Sequence, residues 1–191
     1  MKSSVAEMRK IEVFDYQEIW SSKFSDEAEL LMDTVGFLNP SIHHIGSTSV
    51  PGLAAKPIID ILIEVEDVNI LDEHSDSFEY IGYQGRGELG IPGRRFYQKG
   101  GDSRSHQIHA FKRNHSDAVR HLAFREYLIN HLEIAMEYAS LKKEVALSCN
   151  NDIERYCDGK DEFVKRHEKL AVEWYALNKN RQSDAKNARL L

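Results

Sequence analysis

Residues 58–65 read Ile-Ile-Asp-Ile-Leu-Ile-Glu-Val, with Pro57 at their entrance. β-Branched side chains dominate this run, which makes it the strongest strand signal in the chain. Asp60 stands in the middle of it. A buried carboxylate is costly unless a cation, a metal or hydrogen bonds compensate it, so the fold has to supply Asp60 with a partner. Two partners are open: a bound metal, or the small-residue turn Gly46-Ser47-Thr48-Ser49-Val50-Pro51-Gly52, whose Ser47 lies thirteen residues upstream.

Other elements arrange themselves around that strand. Trp20, Phe24, Ala28, Leu31 and Val35 recur at helical spacing, predicting an amphipathic helix over Tyr16–Val35. Ser41–Ile45 reads as a short strand, and Asp67–Ser77 as a short acidic helix. Further strands are expected at Glu79–Gln84, Arg94–Lys99 and Ser105–Phe111, separated by glycine-rich turns at Gly85–Gly93 and Gly100–Gly101. After Asn114 the pattern turns helical, over Asp117–His131, Glu133–Asn150 and Asp161–Leu177. Helix, mixed sheet, then a helical C-terminal third makes an α+β fold. One domain over residues 11–178 is expected, with 1–10 and 179–191 as flexible tails.

Composition narrows the function. With 25 Lys and Arg against 31 Asp and Glu the net charge is −6, which disfavours long nucleic acid as a partner, since phosphate contacts need clustered cations. No apolar run approaches the ~20 residues of a membrane span. Met1-Lys2-Ser3-Ser4 leads into no apolar stretch, and the two cysteines, Cys149 and Cys157, read as reduced thiols, so the chain is expected to be cytoplasmic. The pattern gives no indication of oligomeric state.

Three groups of residues carry possible chemistry. Consecutive amides of the 46–52 turn, with the hydroxyls of Ser47, Thr48 and Ser49, can approach phosphate oxygens closely; the same residues also suit a plain tight turn. Between Arg86 and Arg113, seven basic residues (Arg86, Arg94, Arg95, Lys99, Arg104, Lys112, Arg113) face only Glu88 and Asp102. That concentration suits a polyanion, although a solvated hairpin pairing with acidic helices would also explain it. Arg94 and Arg95 alternate across a strand, so only one can face a cleft. Arg125, beside Glu126 and near Glu133, reads as half of an ion pair. Tyr80, Tyr83 and Tyr97 could stack a base, with core packing the alternative.

A glycine-serine turn followed by a strand carboxylate resembles the motif of the polymerase-beta-like nucleotidyltransferase superfamily. The segment from His44-Ile45-Gly46-Ser47 to Pro57-Ile58-Ile59-Asp60-Ile61 is similar to the signature of its GrpB-like family. Gly90–Phe96, His121–Leu128 and Glu137–Lys142 match further family blocks, so the resemblance runs from Ile11 to Leu177. It implies a nucleotidyltransferase-like mixed sheet with flanking helices and a helical C-terminal third. It also implies a nucleotide or related phosphorylated small molecule as ligand, with a divalent metal (Mg²⁺ or Mn²⁺) and no organic cofactor. On that reading Gly46, Ser47, Thr48, Ser49, Lys56, Arg94 and Arg95 bind phosphate, Asp60 and His109 hold the metal, and Asp60, Ser47 and His109 form the catalytic set. Some relatives are fused to dephospho-coenzyme A kinase, which fits a catalytically degenerate sensing or interaction module equally well.

Two departures bear on catalysis. The superfamily's second carboxylate, two residues after the first, is Leu62 here, and Glu64 lies four residues from Asp60, roughly 13 Å along a strand. The later strand offers Gln107 and His109 on one face where a third carboxylate is expected. One Asp with one His is a poor pair for Mg²⁺, which prefers oxygen, and suits Mn²⁺ or Zn²⁺ better.

Overall fold

The computed structural model describes residues 10–187. Helix α1 (Ile19–Val35) leads into β1 (Ser41–Ile45), and a single 3₁₀ turn over Ser47–Ser49 precedes β2 (Ile59–Val65). Short helices α2 (Ile70–Glu73) and α3 (Ser75–Tyr80) follow, then β3 (Tyr83–Gly85), β4 (Arg95–Lys99) and β5 (His106–Lys112). Three longer helices close the chain: α4 (Ser116–Asn130), α5 (Leu132–Ser148) and α6 (Ile153–Asn187).

The sheet runs β1-β2-β5-β4-β3, with β2 and β5 parallel and every other pair antiparallel. β2 therefore has a neighbour on each side. Period-two alternation sends Ile59, Ile61, Ile63 and Val65 to one face, where they join Ile108 and Ala110 under Trp20, Leu31 and Val35 of α1. Leu62 goes to the other face and packs with Ile45, Phe111 and Ala118 of α4. Both faces of the strand are covered, which is why all of its residues but Asp60 and Glu64 are apolar.

The helical third packs through aromatic contacts. Tyr138 of α5 stacks on Phe163 of α6 with centroids 5.0 Å apart and planes 3° from parallel. Gly159 lets these helices close in, since a Cβ there would lie 2.7 Å from Val145 Cγ1. The N-terminal segment is pinned as well: Phe14 bridges Ala55, and the Ile11 amide donates to Asn151 Oδ1 at 2.9 Å.

The expected α+β order is observed, with local corrections. The acidic helix is two short helices, α2 and α3. α3 continues through Tyr80, so the strand expected over Glu79–Gln84 shrinks to Tyr83–Gly85, set by its pairing with Tyr97–Lys99. Tyr80 is 90% exposed and belongs to neither core nor cleft, whereas Tyr83 and Tyr97 are buried. The last helix starts eight residues early and runs to Asn187, so residues 179–187 are helical; the expected tails at 1–9 and 188–191 lie outside the described residues. Cys149 caps α5 and is buried, while Cys157 sits exposed on α6. No described helix is long and apolar enough to cross a membrane.

Half-buried His44 is expected to make the fold acid-sensitive. His44 stacks on Phe24 (4.7 Å, 8°) and meets Thr48 Oγ1 at 3.0 Å. Burial pushes it down to about 4, with Asp60 opposing the shift and Arg125 adding to it. Its folded pKa is lower than its unfolded one, so the unfolded chain takes up the proton first. The stability His44 contributes is complete above pH 6.5 and is lost as pH falls toward 4. Denaturant titrations are expected to show a loss on the order of 1–2 kcal/mol from this residue between pH 7.5 and 5, discounted for its partial exposure. His44→Gln should flatten that slope, and an unchanged slope would refute the assignment.

Candidate functional site

Between the 46–58 connection and α4–α6 lies a cleft of about 390 Å³. Gly46, Ser47, Thr48, Lys56 and Asp60 line one side, Phe124, Arg125, Tyr138 and Lys142 the back, and Tyr156, Cys157, Lys160 and Glu168 the α6 wall.

The turn and the strand carboxylate meet here. Gly46 has φ +70° and ψ −174°, a backbone region open essentially to glycine alone, and a Cβ on it would stand 2.5 Å from Asp60 Oδ2. Thr48 is buried, and its hydroxyl bonds the Ile58 carbonyl and His44. Ser49 Oγ donates to the Gly46 carbonyl at 2.6 Å. These two hydroxyls shape the turn; Ser47 Oγ is the one set into the cleft.

Asp60 is partly exposed on the cleft floor, paired across β5 with Gln107. His109 stands behind it, with Nε2 3.9 Å from Asp60 Oδ1. On its other side His109 Nδ1 lies 3.4 Å from Arg94 Nη1. A guanidinium only donates, so Nδ1 accepts and the neutral ring carries its proton on Nε2, toward Asp60. Burial holds His121, whose ring centroid is 4.9 Å from that of His109, well below the usual histidine range. Among the described residues no three His, Cys, Asp or Glu side chains converge as metal ligands. Asp60 offers one open carboxylate, and a hard cation there would take its remaining ligands from water and a bound phosphate.

The basic segment goes mostly elsewhere. Arg94 is buried among loop carbonyls, donating to Glu88 O at 3.1 Å and Leu89 O at 2.8 Å. Arg95 points to the opposite face and grips Asp72 at 2.7 Å and Asn69 Oδ1 at 2.8 Å. Neither lines the cleft. Lys99 pairs with Glu27 at 2.8 Å, and Arg113 with Glu66 at 2.6 Å. Of that segment's basic residues Arg104 alone lines the cleft. Arg125 pairs with Glu126 as expected and also donates to the His44 carbonyl at 2.8 Å.

Lys142 is the residue that sequence reasoning passed over. It is 2% exposed, donates to the Ala54 carbonyl, and sets Nζ 2.8 Å from Ser47 Oγ and 4.3 Å above the Tyr138 ring. Burial, helped by the like charge of Lys160, pushes it down to about 7. A sequence signal existed: the buried stripe of α5 is Ala135, Tyr138, Lys142 and Val145, so a lysine occupies a core position of the helix.

The sequence model of the family described as GrpB protein matches residues 10–170. UPF0157 protein YqkA of Bacillus subtilis is 45% identical over 166 residues, which cover 87% of this chain; the chain spans 48% of that relative's length. UPF0157 protein PA4798 of Pseudomonas aeruginosa is 37% identical over 167 residues, covering 85% of this chain and 68% of the relative. The crystal structure of conserved protein GrpB from Enterococcus faecalis superposes with a TM-score of 0.82 at 43% identity, covering 86% of this chain and 99% of that one. Family match, curated relatives and structural likeness span the same sheet and helices, and the chain belongs to the GrpB family.

Proposed function

We propose that this protein binds a nucleotide or related phosphorylated small molecule in the cleft, with a divalent metal at Asp60. The supporting observation is the charge of the lining. Four cationic residues, Lys56, Arg104, Arg125 and Lys160, with the titratable Lys142 beside them, meet two carboxylates, Asp60 and Glu168, in a chain of net charge −6. Glu168 is itself paired with Arg120. Ser47 and the turn amides would hold phosphate. When bound, the metal would neutralise phosphate charge and polarise the phosphorus, while His109 orients Asp60.

Leu62 favours a second reading, a degenerate sensing or interaction module. It stands fully buried where a second carboxylate would complete a transferase. The two readings share the ligand and differ in turnover.

Thermal unfolding against nucleotides, coenzyme A precursors and Mg²⁺ or Mn²⁺ tests the shared part. A ligand at 100 times its Kd adds about 2.7 kcal/mol, which should raise Tm by roughly 5–10 °C. The shift is expected to need both nucleotide and metal and to vanish in Asp60→Asn. A panel with no shift would sink the proposal and turn attention to protein partners.

A further inference from the structure

We propose that Ser47 and Lys142 form a nucleophile–base pair, and that the cleft carries out acyl transfer from a phosphate-bearing acyl donor through an acyl-Ser47 intermediate. This goes beyond the binding function above and requires neither nucleotide nor metal.

The geometry has the three parts such a pair needs: a reachable hydroxyl, a base within hydrogen-bond distance, and groups that orient the base. Ser47 lines the cleft half-buried, with Oγ 2.8 Å from Lys142 Nζ. The Ala54 carbonyl and the Tyr138 ring hold the lysine in place. Its hydrogen-bond partners are the neutral oxygens of Ser47 and Ala54, and among the described residues its charged influence is Lys160, not a carboxylate. A desolvated ammonium with no counter-ion and a second cation nearby gives up its proton readily. The neutral amine then presents a lone pair to the Ser47 hydroxyl across the same 2.8 Å.

The step balances within the pair. Ser47 Oγ attacks the acyl carbon while its proton passes to Lys142 Nζ. The bond from that carbon to the phosphate-bearing oxygen breaks, and the leaving oxygen takes the proton back from Lys142. Water then cleaves the acyl-serine along the same path, releasing a carboxylate. Lys56 and Lys160 stand 4.8 and 5.8 Å from the Tyr156 ring centroid on the cleft wall, placed to receive the anionic leaving group.

The test is covalent labelling of the full chain with an alkyl fluorophosphonate and with phenylmethylsulfonyl fluoride, in EDTA and without nucleotide, read by intact mass and peptide mapping. Each reagent loses fluoride as Oγ bonds to phosphorus or sulfur. A single adduct on Ser47 is expected, absent in Ser47→Ala and formed at least about 100-fold more slowly in Lys142→Met. Its rate should rise with pH through about 7, where burial and Lys160 hold the amine, and then level off. The other ionisable groups lining the same cleft are Tyr138 on its own helix, Asp60 on β2, Lys56 and Arg104 on the connections, His121 and Arg125 on α4, and Tyr156, Cys157, Lys160 and Glu168 on α6. Loss of the pH rise in Lys142→Met assigns it to the lysine and not to them. Lys142→Gln serves as the second variant if the methionine chain fails to fold. No Ser47 adduct on the folded wild type, or equal rates with and without Lys142, would overturn the proposal. Labelling in a chain that shows no nucleotide shift would refute the binding reading alone.

Discussion

A Leu62→Asp chain is expected to lose about 4 kcal/mol or more of stability and to gain no metal-dependent turnover. On sequence alone this substitution looks like a restoration, since it returns a carboxylate two residues after Asp60. The packing says otherwise. Leu62 is 0% exposed and enclosed by Ile45, Phe111 and Ala118, with Ile91 and Leu122 against them. Removing a buried leucine costs about 2–5 kcal/mol, and an unpaired carboxylate in its place adds the penalty of desolvation. For a domain of this size Tm should fall by roughly 8–16 °C, readable by calorimetry. A Leu62→Asp chain with wild-type Tm and metal-dependent nucleotidyl transfer would show that this layer opens, and that the cleft is a transferase site lacking one ligand.

Gly46→Ala should be nearly as damaging for a different reason. At φ +70° and ψ −174° any side chain strains the backbone, at a cost of about 1–3 kcal/mol. The added methyl would also stand 2.5 Å from Asp60 Oδ2 and 3.0 Å from Asp60 Cβ, so the strand residue has to move. A loss of about 3 kcal/mol or more is expected, together with loss of any Asp60-dependent metal effect. Asp60→Ala removes the carboxylate contact but not the backbone strain. In a double-mutant cycle it should therefore recover about 1 kcal/mol of the Gly46→Ala loss. Additive losses would show that the turn and the carboxylate are independent.

The sequence was most legible where the signal was local. Ile58–Val65 announced β2, an interior strand of the sheet, and the thirteen-residue spacing from Ser47 brought the turn against Asp60. Both rest on short-range patterns, period two and small-residue turn chemistry. Alternation also separated Arg94 from Arg95. Their destinations were not legible, because Asp72 and the 88–89 carbonyls become neighbours only after the sheet has formed. Lys142 was missed for the same reason on a larger scale: it meets Ser47 across 95 positions of chain. Its helical stripe held the hint, a lysine where the spacing required an apolar residue. The length of α6 was misjudged because residues 179–187 lack apolar periodicity, while a helix already under way needs only one hydrogen bond per added residue.

Cys157 gives the cleft a practical property. It is exposed at the α6 wall, while the chain's other cysteine, Cys149, is buried as the C-cap of α5. A thiol-reactive fluorophore will thus find one native attachment point, beside Lys160 and Tyr156, and report on occupancy from the rim. The molecule carries its own place for a reporter, so filling of the cavity can be followed by emission in the unaltered chain before any ligand has a name.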